Sequence, residues 1–270
     1  MSVVIPVSAE WLTLREDVDA RSRSRALALR AAEMVRAPLT VHDLGSGTGS
    51  MMRWLAPLLP GPQTWVLHDW NRALLEQAAA QPARDGEGVL VSVRTNVDGL
   101  GRLRASALAG ASLVTTSALL DVLAREEIEA MVRACVEAGA PALFGLSVTG
   151  GVEFEPADAR DHAFQTAFND HQRRSVHGRR LLGPDAAGVA TDLFGTAGWS
   201  LRVAETPWVL DSEDRELVEE WMRGWVAAAV EQRPSLRKPA AEYAAMRAAR
   251  IARGGLRVLV HHQDLLAWPP

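Results

Sequence analysis

One ten-residue segment has the residue types and spacing for binding a small molecule through its backbone. Residues 41–50 read VHDLGSGTGS, in which Asp43 precedes glycines at positions 45, 47 and 49. Glycine reaches backbone conformations that a Cβ forbids, and it leaves no side chain between the main chain and a ligand. The segment therefore predicts a loop between a buried strand and a helix, on which a cofactor can lie directly.

Other glycine-rich loops share these glycines but differ in their spacing. The dinucleotide-binding pattern is GxGxxG, and here the third glycine, Gly49, comes one position early. A carboxylate at Asp43 also disfavours a diphosphate. A P-loop ends in GK[ST], whereas this loop continues into Ser50 without a lysine. A nucleotide-dependent oxidoreductase and a turn that binds no cofactor remain as alternatives.

An acidic residue followed closely by GxGxG resembles the first loop of the class I S-adenosylmethionine-dependent methyltransferases. The resemblance implies a seven-stranded, doubly wound, Rossmann-like α/β sheet and S-adenosyl-L-methionine as the cofactor. It places Asp43 near the ammonium group of methionine, and it makes Gly45, Ser46, Gly47 and Gly49 the cofactor loop.

The segment after the loop fits this resemblance. Apolar residues recur at helical spacing, and residues 64–68 then predict a buried strand with Asp69 at its carboxyl end. In a doubly wound sheet this position carries the carboxylate that accepts the ribose hydroxyls. We therefore predict Asp69 and its neighbour Trp70 as cofactor contacts. The alternative role of Asp69, capping a helix over residues 72–80, suits Asn71 better.

Residues 89–93 predict a third strand, which Asn96, Val97 and Asp98 follow. In the family that the chain resembles, the corresponding stretch supplies a side chain near the adenine amino group and a backbone amide for the ring. We predict that these three residues contact the adenine, and the choice between Asn96 and Asp98 stays open. A plain turn is the alternative, because Asn and Asp satisfy their own backbone in turns.

Residues 113–117 predict a fourth strand, whose end lies beside the sulfonium in the family that the chain resembles. Ser117 is thus a predicted cofactor contact, and Asp121 stands where many relatives carry a polar residue directed at the substrate. Asp121 is also a candidate N-cap of the helix predicted over residues 124–138, because Asp is favoured at helix N-termini. The two roles are compatible.

The first 37 residues predict N-terminal helices. In similar enzymes such a segment closes over the cofactor, and an arginine in it can pair with the methionine carboxylate. Arg15 and Arg21 are the candidates here. A solvated helix face is the alternative for each, since most arginines are exposed.

Residues 142–148 predict a fifth strand, after which the alternation of strand and helix breaks. The segment over residues 151–185 combines aromatic, imidazole and guanidinium side chains, and with Asp121 it is predicted to bind the substrate: Phe164, Phe168, His171, Arg173 and Arg174. Arginine can hold a carboxylate or phosphate through paired hydrogen bonds. A basic surface loop after an aromatic helix face is the alternative.

Two side chains are candidates for proton transfer. His171 is the predicted general base, and Asp121 is a second catalytic candidate. A base is needed only if the nucleophile arrives protonated.

The remaining pattern predicts a helix over residues 186–197, a strand over 200–210 broken at Pro207, helices over 213–252 and a last strand at 256–260. We therefore expect residues 1–37 to form a helical cap and residues 38–150 a cofactor-binding core. Residues 151–270 would complete the sheet, with helical insertions on the acceptor side.

Composition sets limits on function. The chain has 270 residues and is 48% hydrophobic, which fits one α/β domain with insertions. A net charge of −4 implies no general attraction to nucleic acid or to an anionic membrane. The single cysteine and residues 1–6, which lack the features of a secretory signal, favour a cytoplasmic protein. His261 and His262 lack neighbouring ligand residues, so we infer no metal site.

These observations predict the transfer of a methyl group from S-adenosyl-L-methionine to a small metabolite by in-line displacement, with an anionic metabolite favoured. An NAD(P)-binding oxidoreductase is one alternative. A non-catalytic, methyltransferase-like binding protein, with Trp221 and Trp225 facing a partner, is the other. The sequence does not predict the oligomeric state.

Overall fold

The centre of the molecule is one mixed sheet in this computed structural model, which describes residues 7–81, 83–99 and 103–270. The strands of this sheet are β1 Leu39–Leu44, β2 Gln63–Asp69, β3 Ser92–Val97, β4 Leu113–Ser117, β5 Ala142–Glu155, β8 Ser200–Glu205, β9 Trp208–Leu210 and β10 Arg257–Trp268. A separate hairpin joins β6 Ser175–Val176 to β7 Arg179–Arg180. Residues 1–6, where we expect no secretory signal, lie outside the described part of the chain.

The strand order is β3-β2-β1-β4-β5-β10-β8, and β9 pairs with β10. Strands β1 to β5 are parallel, whereas β10 runs antiparallel to β5, β8 and β9. Carboxyl ends of parallel strands meet at one edge of a sheet. Asp43, Asp69 and Ser117 therefore lie along the same edge. The predicted doubly wound sheet of seven main strands is confirmed.

The α-helices of the described residues are α1 Ala9–Ser22, α2 Arg25–Met34, α3 Ser50–Leu55, α4 Arg72–Ala80, α5 Arg125–Ala138, α6 Asp161–Gln172, α7 Ala186–Thr196, α8 Arg215–Gln232 and α9 Arg237–Ala252. None of them combines the length and the apolar character that crossing a membrane requires.

Three apolar clusters position these elements. One packs α2 and α3 on the sheet around Trp65, and a second packs α5 and α7 on the opposite face around Phe144. Strands covered on both faces must be apolar on both faces, which explains the continuous burial of β1 around Val41 and Leu44. The third cluster joins α6, α8 and α9 to the extended ends of β5 and β10, around Trp225 and Tyr243.

The third strand differs from its prediction. Observed β3 begins at Ser92, whereas the sequence pattern favours residues 89–93. Val89 and Leu90 are 57% and 54% exposed and follow a turn over residues 86–88. The Asp85 carboxylate accepts a hydrogen bond from the Val89 backbone N–H, and Leu90 forms an isolated antiparallel bridge with Arg84. Because β3 is an edge strand, burial does not select for an apolar pattern along it. Asn96 and Val97 consequently lie inside the strand.

The helix after β4 also begins differently. Asp121 lies in a 3₁₀ turn, Leu120–Val122, and the N-cap of α5 is Ala124. The carboxylate of Glu127 accepts a hydrogen bond from the Ala124 backbone N–H, so the helix start is satisfied without Asp121. The capping role predicted for Asp121 is therefore wrong, and its side chain is available for another contact.

Candidate functional site

A cavity of about 290 Å³, called the first cavity here, lies at the carboxyl edge of the sheet. Trp11 and Arg15 of α1 line it together with the glycine loop between β1 and α3. Glu16 of α1 binds Arg53 through two hydrogen bonds of 2.7 and 2.6 Å, and Arg53 Nη1 donates to the carbonyl oxygen of Thr48 in the loop. The N-terminal helix is thus tied to the loop that it helps to enclose.

The glycine loop is held against the end of β2. The backbone N–H of Gly45 donates to the carbonyl oxygen of His68 at 2.8 Å, and that of Gly47 donates to Asp69 Oδ2 at 2.9 Å. Gly45 has φ of 67°, and a Cβ there would come 2.8 Å from a methyl group of Leu119. This position requires glycine for its conformation and for its space.

Asp43 presents an unpaired carboxylate oxygen at this cavity. The side chain is 1% exposed, and Oδ1 accepts a hydrogen bond of 2.8 Å from Thr115 Oγ1. Burial raises the pKa of Asp43 to about 7, because desolvation disfavours the charged carboxylate. Oδ2 is buried and has no hydrogen-bond partner among the described residues. A cationic donor from a ligand would satisfy this oxygen and favour the ionised form.

Arg23 is a candidate binding residue that the sequence did not single out. Its guanidinium is buried, and Nη2 donates to Ser50 Oγ at 3.0 Å and to Ser117 Oγ at 3.1 Å. Both serines line the first cavity. Nη1 has no hydrogen-bond partner within the described ranges. The sequence does not distinguish Arg23 from the nearby arginines. Arg23, which is the C-cap of α1, differs from them in the structure because it is buried.

Asp43 and Arg23 together offer opposite charges to one ligand. The unpaired oxygen of Asp43 suits an ammonium group, and the unpaired nitrogen of Arg23 suits a carboxylate. A buried polar atom without a partner is unfavourable by about 1–3 kcal/mol. Asp43 lines the first cavity, whereas Arg23 lies behind Ser50 and Ser117, the two lining residues that it contacts. A zwitterionic ligand in this cavity would suit both charges. The α-amino acid part of S-adenosylmethionine has this pair of charges.

Asp69 organises the loop and keeps further acceptor capacity. Its oxygens accept hydrogen bonds of 2.9 Å from the backbone N–H groups of Gly47 and Asn71. Burial raises the pKa of Asp69, while these hydrogen bonds oppose the shift. Each carboxylate oxygen has two acceptor sites, so the side chain can still accept from ligand hydroxyls.

The residues near the predicted adenine position separate into two groups. Trp70 and Asp98 line the first cavity. Asn96 does not, because its Nδ2 lies 3.1 Å from His68 Nδ1 in a contact within the sheet. Val97 is exposed and also lies outside the cavity lining. Of the two side chains left open by the sequence, the structure brings Asp98 to the cavity.

A second cavity, of about 180 Å³, adjoins the first. Trp11, Arg15, Ala118 and Asp121 line both cavities, and Ala118 has a left-handed backbone with φ of 51°. The remaining wall is mainly apolar and aromatic, with Val148, Val152, Phe168, Trp208, Trp221 and Val260. The four shared residues mark the junction between the two spaces.

Two residues predicted for the substrate site lie elsewhere. Phe164 is fully buried, and its ring stacks on Tyr243 at 4.5 Å between centroids. It packs in the third apolar cluster and cannot contact a ligand in either cavity. His171 is buried on α6, lines neither cavity and has its pKa lowered by burial. The structure therefore removes both side chains from the proposed site.

The basic segment after α6 does not converge on the second cavity. Arg173 forms two hydrogen bonds of 2.6 and 2.7 Å with Asp185, and Arg174 donates to the carbonyl oxygen of His171.

Two residues predicted as cofactor contacts also lie outside the first cavity. Arg21 contacts Asp214 at 2.5 Å, away from both cavities. Gly49 does not line the first cavity either, since it begins α3 and packs closely against Ala78 of α4.

Within the ranges that the structure describes, no three His, Cys, Asp or Glu side chains come together as a metal site would require. His261 instead contacts Glu153 at 2.8 Å, and His262 Nδ1 lies 2.9 Å from the Val260 carbonyl oxygen.

The strand order with an antiparallel β10, the glycine loop after β1 and the acid after β2 define the fold of the class I S-adenosylmethionine-dependent methyltransferases. No protein-family model and no curated protein sequence matches the chain.

Solved structures with a similar fold include the YcgJ protein of Bacillus subtilis, at 12% identity, with 91% of this chain and 97% of that one covered and a TM-score of 0.50. The cyclopropane synthase MmaA2 of Mycobacterium tuberculosis is 10% identical over 99% and 100% of the two chains, with a TM-score of 0.48. A methyltransferase of Thiobacillus denitrificans in complex with S-adenosyl-L-homocysteine is 14% identical over 97% and 99%, with a TM-score of 0.47. At 12% identity the likeness to the YcgJ protein shows the fold alone.

Proposed function

We propose that this chain is an S-adenosylmethionine-dependent methyltransferase that acts on a small molecule. The observation that carries the proposal is the pair of adjoining cavities with Trp11, Arg15, Ala118 and Asp121 at their junction. The first cavity has partners for a zwitterion and a ribose, and the second has a mainly apolar and aromatic wall. Such a junction is where a donor and an acceptor can meet without intervening water.

In the first cavity, Asp43 would hold the ammonium and Arg23 the carboxylate of the methionine part. Asp69 would accept the ribose hydroxyls, and Trp70 and Asp98 would flank the adenine. In this proposal residues 38–150 form the cofactor-binding core, residues 1–37 cover it and residues 151–270 supply most of the acceptor side.

When bound, the cofactor supplies a methyl group already activated by a positive sulfonium. The residues of the chain then have to orient the nucleophile and exclude water, which can itself accelerate such a reaction strongly. Trp11 and Ala118 lie at the junction and restrict the approach of the acceptor.

Asp121 is the proposed proton acceptor for a nucleophile that arrives protonated. Its carboxylate lines both cavities, and burial raises its pKa, with the hydrogen bond from Gln172 and the charge of Arg15 acting in the opposite direction. A raised pKa makes a carboxylate a better base near neutral pH. His171 has no comparable position.

The arginines that favoured an anionic acceptor are not available to bind one in this arrangement. Arg173 is paired with Asp185, and Arg174 donates to the carbonyl oxygen of His171 at the end of α6. We retain a small molecule as the acceptor, since the second cavity has a volume of only about 180 Å³.

Neither alternative function is favoured by the site. A pyrophosphate on the loop would lie close to the buried Asp43 carboxylate, which opposes a dinucleotide. In a partner-binding protein without turnover, Trp221 and Trp225 would be exposed and the acceptor space filled. Trp225 is instead 1% exposed, and the second cavity is open.

Calorimetry tests the proposed cofactor directly. We expect S-adenosyl-L-homocysteine to bind and NADH to give no signal. Asp69→Ala should weaken the binding of S-adenosyl-L-homocysteine by about 1–3 kcal/mol, because hydroxyl and backbone partners lose their acceptor. Asp192→Ala, at an exposed position on α7, is the matched control and should bind like the original chain. Binding of NADH without binding of the adenosyl ligand would reverse our preference.

A further inference from the structure

Two side-chain amides on α6 present acceptor atoms without partners beside the second cavity. Asn169 Nδ2 donates to the Gly150 carbonyl oxygen at 3.0 Å, and Gln172 Nε2 donates to Asp121 Oδ2 at 3.2 Å. A carbonyl oxygen and an ionised carboxylate can only accept, so these contacts fix which way each amide is turned. Asn169 Oδ1 and Gln172 Oε1 are then left buried, without a hydrogen-bond partner among the residues described.

Asp121 adds a negative charge to the same wall. Its Oδ2 accepts the hydrogen bond from Gln172 Nε2, a neutral amide that does not balance the charge. Arg15, the arginine that lines the cavity, is held by Asp19 through hydrogen bonds of 2.9 and 3.0 Å, and its guanidinium lies 4.8 Å from the Trp208 ring centroid. The positive charge of Arg15 is therefore balanced locally by Asp19.

The two histidines at this cavity do not change the balance. His262 is buried, and desolvation lowers its pKa to about 4, so it is neutral at physiological pH. His261 has the Glu153 carboxylate 2.8 Å away. The polar wall thus has an excess of acceptors and of negative charge.

Aromatic rings form much of the rest of this cavity, from Trp11, Phe168, Trp208 and Trp221. The faces of aromatic rings carry partial negative charge and attract cations, and they also provide apolar contact for a flat ligand. A ligand carboxylate would meet none of these preferences, because it would face Asp121 and two amide carbonyl oxygens, while Arg15 of the same cavity is already paired with Asp19.

We propose that the acceptor of this methyltransferase is a cationic amine with an apolar or aromatic body, whose N–H groups are bound by Asp121 and by the amide oxygens of Asn169 and Gln172. This inference rests on the proposed function, since it takes the second cavity as the acceptor site. The amine is the group that is recognised. Asp121 acts as the base only where the amine nitrogen is itself methylated, because a base must contact the proton that it removes. A nucleophile elsewhere on the molecule would not use Asp121 for proton transfer.

Three indoles with different side chains test the charge preference. The protein is first saturated with S-adenosyl-L-homocysteine, and tryptamine, tryptophol and indole-3-acetate are then titrated by calorimetry. We expect tryptamine to bind at least about tenfold more tightly than indole-3-acetate, with tryptophol between them, as expected for a charge-assisted hydrogen bond. If S-adenosyl-L-homocysteine did not bind, that result would count against the proposed function. The indole titrations report only on the acceptor class.

Two substitutions and a control locate the effect. Asp121→Asn keeps the shape of the side chain and should remove at least about tenfold of the tryptamine affinity while leaving indole-3-acetate equal or tighter. Gln172→Met removes one unpaired oxygen and should weaken tryptamine a few-fold. Asp170→Asn changes an exposed acid on the same helix and should have no effect. Equal affinity for the three indoles, tighter binding of the carboxylate, or no binding of any of them to the loaded protein would overturn the proposal.

Discussion

The buried carboxylate of Asp43 predicts that cofactor affinity depends on pH. Its pKa is raised to about 7 in the structure, chiefly by burial, and the proposed ammonium partner requires the ionised form. Below that pKa the free protein binds a proton that the ligand must displace. Affinity for S-adenosyl-L-homocysteine should therefore rise with pH and level off above the pKa.

The size of the effect follows from the pKa. The fraction of ionised Asp43 rises about eightfold between about pH 6 and about pH 7.5, which corresponds to about 1.2 kcal/mol of binding free energy. The pKa of Asp69 is also raised. A protonated carboxyl still accepts hydrogen bonds, so the titration of Asp69 should change the proposed ribose contact less than that of Asp43 changes the ammonium contact. His68 has its pKa lowered to about 4 and stays neutral across this range.

Calorimetry of S-adenosyl-L-homocysteine at several pH values, with two variants, tests this reasoning. Asp43→Asn should bind more weakly at about pH 7.5 and show a flat profile, because no proton is displaced there. Thr115→Val removes the hydrogen bond that lowers the pKa of Asp43, so the rise in affinity should move to higher pH. The reasoning is refuted if the original chain shows a flat profile or if Asp43→Asn keeps the same slope.

Three further predictions concern single positions. Arg23→Met should weaken the binding of S-adenosyl-L-homocysteine about tenfold or more and leave the binding of 5′-methylthioadenosine unchanged, since only the former carries a carboxylate. Equal losses of affinity by calorimetry would mean that Arg23 supports only the folded structure. Gly45→Ala should lower the free energy of unfolding in urea by about 1–3 kcal/mol, because of backbone strain and contact with Leu119. Gly224→Ala lies inside α8 with open space around it and should raise this free energy by about 0.5–1 kcal/mol. Similar changes in both variants would contradict the strain argument. Arg173→Ala should leave tryptamine binding to the loaded protein unchanged, and a loss there would show that the basic segment reaches the cavity.

Much of the fold follows from local patterns in the sequence. Buried strands of a parallel sheet are covered on both faces and are rich in apolar residues, so β1, β2, β4 and the start of β5 are easily recognised. Helix boundaries with strong caps or breakers are equally visible, as for α4 after Asn71. The weakest prediction is β3, because an edge strand lacks the burial that creates a pattern.

The first cavity is also largely readable from sequence. Asp43, Gly45, Gly47 and Asp69 follow directly from strand ends and turns, and strand ends in a parallel sheet meet at one edge. Once the sheet order is assumed, these residues have no other place to lie. Their proximity is therefore a consequence of local structure and topology together.

The positions of side chains on helices are harder to predict from the sequence, because the direction of each side chain depends on what packs against the helix. Phe164 and Phe168 lie four apart on α6, yet one stacks in the core on Tyr243 and the other lines the second cavity. Arg23 and Arg173 have the same charge in the sequence, but one is buried beside the first cavity and the other pairs with Asp185. The sequence by itself determined the sheet, the loop and the carboxylates at the strand ends, because short-range backbone preferences and burial patterns specify them. Only the tertiary structure decided which helical side chains reach the cavities, because contacts between elements distant in sequence set the rotation of each helix and the partner of each charge.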